Sequence, residues 1–113
     1  MELVRLFDTL PYLIEIKRAG KKYGVVHADL PEFDWNVVKQ MLLDDVMVYG
    51  RSIKHHLTWA RSLVYMQDYH IKNIDHVFIG HTVVDEKLTI GNVSFIDTGS
   101  VYFNTDLCIV KLE

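Results

Sequence analysis

The sequence contains a single cysteine, Cys108, and two prolines, Pro11 and Pro31, among 113 residues. One thiol excludes an internal disulfide and any zinc site built from the cysteines of one chain. Because its neighbours Leu107, Ile109 and Val110 are apolar, we expect a buried, inert thiol on a strand. A strong charge of either sign is also missing, since 12 basic and 15 acidic residues leave a net −3. No cluster of Lys and Arg with interleaved aromatics could follow a phosphate backbone, so nucleic acid is not an expected partner. No uninterrupted apolar run approaches the roughly 20 residues that span a bilayer. Glu2 follows Met1 and opens a mixed segment without a signal-peptide pattern, so the expectation is a soluble, cytoplasmic chain with no membrane partner. Repeats, low-complexity stretches and Pro/Gly/Ser linkers are absent as well, and residues 1–113 read as one domain.

Half of the residues are apolar, enough for one core. A short helix over Glu2 to Leu10 would end before Pro11, which disfavours helical geometry in the residue preceding it. The runs Tyr12–Ile16 and Tyr23–His27 are rich in β-formers and flank the polar Lys17–Lys22, the pattern of a hairpin. Asp29, Pro31, Glu32 and Asp34 interrupt any periodicity between Ala28 and Asn36, so a loop ending near Trp35 is expected. Val37, Val38, Met41 and Leu42 then recur at helical spacing, with Val46 as a possible continuation. Between Ser52 and Tyr69, Ile53, Leu57, Ala60 and Val64 suggest a second helical face, which neighbouring aromatic and β-branched residues weaken. The last third reads as strands: His76–Ile79, Lys87–Ile90, Val93–Ile96 and Leu107–Leu112, with Gly91-Asn92 turning between the second and third. Val101-Tyr102-Phe103 is a possible additional strand.

Two histidines share one local pattern. Val25-Val26-His27-Ala28-Asp29 and Phe78-Ile79-Gly80-His81-Thr82 each end an apolar β-rich run and open a loop, where rigid sheets commonly present ligands. A neutral imidazole there can offer one nitrogen to a metal while the other is held by a hydrogen bond. Spacing alone does not separate this from a structural histidine, because no H-x-H, H-E-x-x-H or C-x-x-C element exists. His55 and His56 are adjacent and would point to different faces of a regular element, which favours surface positions over a metal pair. His70 and His76 read as exposed or capping residues. Met41 and Met66 read as core.

The combination of motifs carries more. Leu10-Pro11-Tyr12-Leu13-Ile14-Glu15-Ile16 resembles the "LP-x-I-I-E" strand of the phage-lambda-like protein serine/threonine phosphatases, in the calcineurin-like metallophosphoesterase superfamily. His27-Ala28-Asp29-Leu30-Pro31 resembles their "HADYP" loop, Phe78-Ile79-Gly80-His81-Thr82 their "FGHT", and Phe95-Ile96-Asp97-Thr98-Gly99 their "YIDTG". These four motifs stand in the family's order and cover most of the chain. The resemblance implies a dinuclear site in which two divalent ions, commonly manganese, activate a water for in-line attack on a phosphate ester. It implies that His27 and His81 ligate one of the metals. It also implies a W-x-R arginine that grips the substrate phosphate, a role suited to the planar guanidinium fork. Trp59-Ala60-Arg61 matches best, and Tyr49-Gly50-Arg51 is the alternative. Asp29 and Asp97 match family aspartates that read as supporting rather than ligating.

The family's remaining ligands come from GD-x-HG, GD-x-x-DRG and GNHE motifs, none of which occurs in this sequence. The resemblance therefore implies an α+β chain forming the second, C-terminal half of a four-layer α/β/β/α sandwich, with mixed β-sheets and flanking helices. Two histidines are too few to hold a catalytic ion, so weak or no metal binding and negligible turnover are expected of the chain alone. Its unpaired edge and apolar face would favour a homo-oligomer or pairing with an N-terminal half. In the complete enzyme the substrate would be a phosphoprotein. The competing expectation is a non-catalytic remnant acting, if at all, as a protein-interaction module.

Overall fold

The polar stretch between the first two β-rich runs shrinks to a two-residue turn. In the computed structural model, which describes residues 9–100 and 106–112, β1 (Leu13–Arg18) and β2 (Lys21–Val26) pair antiparallel from Leu13↔Val26 to Arg18↔Lys21. Ala19 and Gly20 turn the chain with φ of 50° and 76°, the double left-handed geometry that matches the twist of a hairpin. The expected hairpin is therefore present, with both strands running further into Lys17–Lys22 than their composition suggests. Most of the segment considered for a first helix, and Val101-Tyr102-Phe103, lie outside the described residues.

The loop after β2 ends at Asp34, whose carboxylate accepts from the N–H groups of Asn36 and Val37 and caps α1 (Trp35–Leu43). The chain then makes a small antiparallel hairpin of β3 (Met47–Val48) and β4 (Arg51–Ser52). Ser52 in turn caps α2 (Ile53–Trp59) by accepting from Lys54 N–H. Only Ile53 and Leu57 of the second expected helical face lie in this helix. Ala60 turns extended, and a 3₁₀ turn over Leu63–Tyr65 follows.

Three further strands complete the sheet: β5 (His76–Ile79), β6 (Leu88–Ile90) and β7 (Val93–Phe95). The order is β1-β2-β5-β7-β6, with β2, β5 and β7 parallel and the outer pairs antiparallel. Gly91-Asn92 forms the expected turn between β6 and β7. Leu107–Leu112, in contrast, is not a strand; Leu107 and Ile109 are exposed and Cys108 is half-buried. Its apolar run has β-propensity, but propensity becomes a strand only where a ladder partner accepts it.

Side chains alternate across the sheet, so Val26, Val77, Ile79, Val93 and Phe95 share the face that the helices cover. With Trp35, Val38, Ile53, Leu57 and Leu63 they form the core. Gly24 sits on this face because a β-carbon there would stand 2.6–2.9 Å from the ring of Trp35, and Glu15 receives the indole N–H at 2.8 Å. The opposite face carries the row Ile14, Val25, Phe78, Ser94 and Thr89. Ile14 and the preceding Tyr12 remain exposed. Among the described residues no helix is long and apolar enough to cross a membrane.

Candidate functional site

The parallel pairing of β2 with β5 decides where the two motif histidines go. Val26 lies opposite Ile79 at the ends of these strands, so the residues that follow leave the sheet at the same edge. Gly80 N–H donates to the His27 carbonyl at 2.9 Å and holds the two exits together. The imidazoles of His27 and His81 then stand 5.0 Å apart, centroid to centroid. His81 adopts φ of 68°, a left-handed conformation that costs a non-glycine residue free energy and concentrates at functional sites.

Neighbours orient these rings. His81 Nε2 lies 3.1 Å from the carbonyl of Trp59; a carbonyl can only accept, so Nε2 carries the proton and the neutral ring keeps its lone pair on Nδ1. The Trp59 indole meets His81 edge-on, with centroids 5.6 Å apart. Partial burial, with a smaller contribution from His81, holds the His27 imidazole below its ordinary pKa, while Asp97 pulls the other way. Asp97 accepts from Gly99 N–H at 3.0 Å and so has its own supporting bond. Burial thus favours the neutral form of the His27 imidazole, and the Trp59 carbonyl fixes the orientation of the His81 ring. Beside His27 opens an apolar concavity of about 340 Å³, walled by Tyr12, Ile14, Val25, Phe78 and Ile96.

Asp29, two residues beyond His27, is buried and organises the segment that carries the W-x-R match. Its carboxylate accepts from Ser62 N–H and Leu63 N–H, both at 3.1 Å, and from the Ser62 hydroxyl. His56 Nε2 stands 3.0 Å from the same carboxylate, close enough for an ion pair though not aligned as a hydrogen bond. Burial alone would raise this carboxyl's pKa; the close approach of His56 and the bonds from Ser62 and Leu63 overcome it and hold the group below the usual range. Capture of these two N–H groups also accounts for the chain leaving α2 at Trp59. Residues 59–62 are thus pinned at one end by His81 and at the other by Asp29, with exposed Arg61 between them.

Sequence reasoning placed His56 at the surface, whereas it is buried against Asp29. Nothing in the pattern around His55-His56 distinguishes the two rings; a carboxylate brought from the β2 loop makes the difference. His76 is likewise neither exposed nor capping. It is half-buried in β5, 2.7 Å from Ser94 Oγ. Arg51 and Arg61, weighed as alternatives in the sequence, line one cavity of about 350 Å³ together with Tyr49, His55 and His56. Among the described residues no group of three His, Cys, Asp or Glu side chains could hold a metal ion.

No protein-family model matches the chain. Individual relatives do. It is 33% identical over 116 residues to serine/threonine-protein phosphatase 2 of Salmonella typhimurium, a match covering 99% of this chain and 48% of that protein. Serine/threonine-protein phosphatase 1 of the same organism is 27% identical over 96% of the chain and 44% of its own length. Serine/threonine-protein phosphatase 2 of Escherichia coli is 28% identical over 88% of the chain and 43% of its own length. The chain spans slightly less than half the length of these curated relatives. Along nearly its whole length it is thus similar to slightly less than half of bacterial proteins named serine/threonine-protein phosphatase.

Proposed function

We propose that the chain is the C-terminal portion of a metal-dependent phosphatase that hydrolyses phosphate monoesters, phosphoserine and phosphothreonine of proteins among them. In this reading His27 and His81 ligate one ion of a dinuclear site, with manganese as the metal, and Arg61 grips the substrate phosphate. The observation that supports it most is the 5.0 Å approach of two imidazoles whose motifs lie far apart in the sequence, at residues 27 and 81. The sheet is read as the second half of the four-layer α/β/β/α sandwich, and the setting as cytoplasmic.

The residues described here fit half of such a site. A catalytic ion normally takes three or more protein ligands, and among the described residues no third His, Cys, Asp or Glu joins the pair. No step of the reaction is therefore assigned through a metal in this chain. What its own residues would do is orient: the Trp59 carbonyl sets the His81 tautomer, and Asp29 holds the segment that aims Arg61. The same shortage favours a second reading, a non-catalytic remnant that makes protein contacts through its open sheet face.

Hydrolysis of p-nitrophenyl phosphate with added manganese separates the two. The chain alone should turn over negligibly, and adding a polypeptide that carries GD-x-HG, GD-x-x-DRG and GNHE motifs should restore activity that His81→Ala removes. Robust turnover by the isolated chain, lost in His81→Ala, would overturn its expected inactivity. Failure of the added half to restore either metal binding or turnover would favour the remnant.

A further inference from the structure

The cavity shared by Arg51 and Arg61 contains more positive charge than one phosphate contact requires. Its wall is Val48, Tyr49, Arg51, His55, His56 and Arg61, with Ala60 and Ser62 at the rim. Among the described residues neither guanidinium takes part in an ion pair; those present join Lys39 to Glu15 and His56 to Asp29. Asp29 lies behind His56 and its oxygens are already occupied by Ser62, Leu63 and His56. The concavity is therefore cationic and not neutralised from within.

Arg51 is also prepared for contact. Its Nη1 donates to His55 Nε2, in the first turn of the following helix, at 3.1 Å, which reduces the freedom of a long side chain before anything binds. The strand bearing it follows the turn Tyr49-Gly50, with φ of 50° and 81°. This is the geometry of a tight hairpin, here with tyrosine in the left-handed position where glycine or asparagine is the usual choice. Tyr49 is 94% exposed at the tip. A strained, fully presented tyrosine beside an arginine has the composition of a contact surface.

We infer that the β3–β4 hairpin carries a second anion subsite, in which Arg51 binds an acidic side chain next to the phosphorylated residue held by Arg61. The inference rests on the proposed phosphate role of Arg61. With Nη1 committed to His55, Arg51 keeps one edge of its fork, which a planar carboxylate fills in bidentate fashion; a phosphate fills the same edge, and the doubly phosphorylated peptide below separates the two. Tyr49 supplies an apolar body against which the peptide backbone can lie. The substrate class is thus a phosphorylated peptide with Asp or Glu beside the phosphoresidue.

Calorimetric titration of the chain with three peptides tests this: phosphoserine flanked by alanines, the same flanked by glutamates, and the same flanked by a second phosphoserine. The wild-type chain should prefer the glutamate-flanked peptide to the alanine-flanked one by on the order of tenfold, the worth of one charge-assisted pair. Arg51→Ala should bring that ratio close to one, and Arg51→Lys should restore only part of it, since an ammonium lacks the fork. Arg61→Ala should weaken all three peptides. No preference in the wild type, or a preference that survives Arg51→Ala, overturns the subsite. A strongest preference for the second phosphoserine, lost in Arg51→Ala, overturns the assignment to a carboxylate. If Arg61→Ala binds as wild type while Arg51→Ala loses the preference, the phosphate role of Arg61 fails and the subsite stands.

Discussion

At the residue scale, single buried contacts set the geometry of this chain. Gly24 is required by shape, because any side chain would enter the Trp35 ring 2.6–2.9 Å away. Gly24→Ala should cost about 1–3 kcal/mol as the indole is displaced, read as a lower urea midpoint at constant slope. Asp29 is required by charge and hydrogen bonding. Its removal as Asp29→Ala leaves two backbone N–H groups and the Ser62 hydroxyl without their acceptor, and a loss of about 2–4 kcal/mol is expected. Asp29 also sets a pH dependence. Its folded pKa lies below the ordinary 3.8, so in the acid range the unfolded chain takes up the proton first, and stability falls as pH drops through that window. Urea midpoints measured at successively lower pH should decline less steeply in Asp29→Asn than in the wild type; equal slopes would show that Asp29 is not the group responsible. The aspartate was visible in sequence through its motif, but its partners were not, because His56 and Ser62 acquire their roles only when the β2 loop meets the end of α2.

At the element scale, the junction between the β6–β7 turn and the segment before β5 fixes the register on which the site depends. Asn92 is buried; its side chain accepts from Ile71 N–H at 2.8 Å and donates to the carbonyls of Ile71 and Ile74. Gly91 beside it has φ of 57° and lies so close to the Tyr69 carbonyl that a β-carbon would be 1.9 Å from the oxygen. Asn92→Ala should cost about 2–4 kcal/mol, because buried backbone groups lose their partner, and hydrogen exchange of Ile71 N–H should rise with it. Gly91-Asn92 was legible as a turn, and the strands around it were legible from their apolar runs. The contact with residues 71–74 was not, since a side chain that bridges loops leaves no periodicity. Leu107–Leu112 shows the converse: composition specifies a strand there, and the absence of a ladder partner among the described residues leaves it without one. The two histidine tips were readable as strand ends, but their meeting required knowing that β2 and β5 are parallel neighbours.

At the scale of the whole molecule, one sheet face is covered by helices and the other leaves Tyr12 and Ile14 open beside a concavity of about 340 Å³. Contiguous exposed apolar surface favours association. Light scattering at high concentration should give a mass above the monomer, and Ile14→Lys should lower it; a monomeric mass for the wild type would exclude self-association as the way this face is covered. The strand order has a further effect. β2 ends at Val26 and β5 begins at His76, and everything between them, including both arginines, belongs to a single excursion from the sheet. The backbone exits of the imidazole pair are fixed by the ladder at the base of that excursion, and within the excursion only Trp59 reaches back to orient His81 among the contacts described above. The β3–β4 hairpin, which carries Arg51 and makes neither of these contacts, is therefore an exchangeable cassette: its length and charge can change what is recognised while the pair beneath keeps its position.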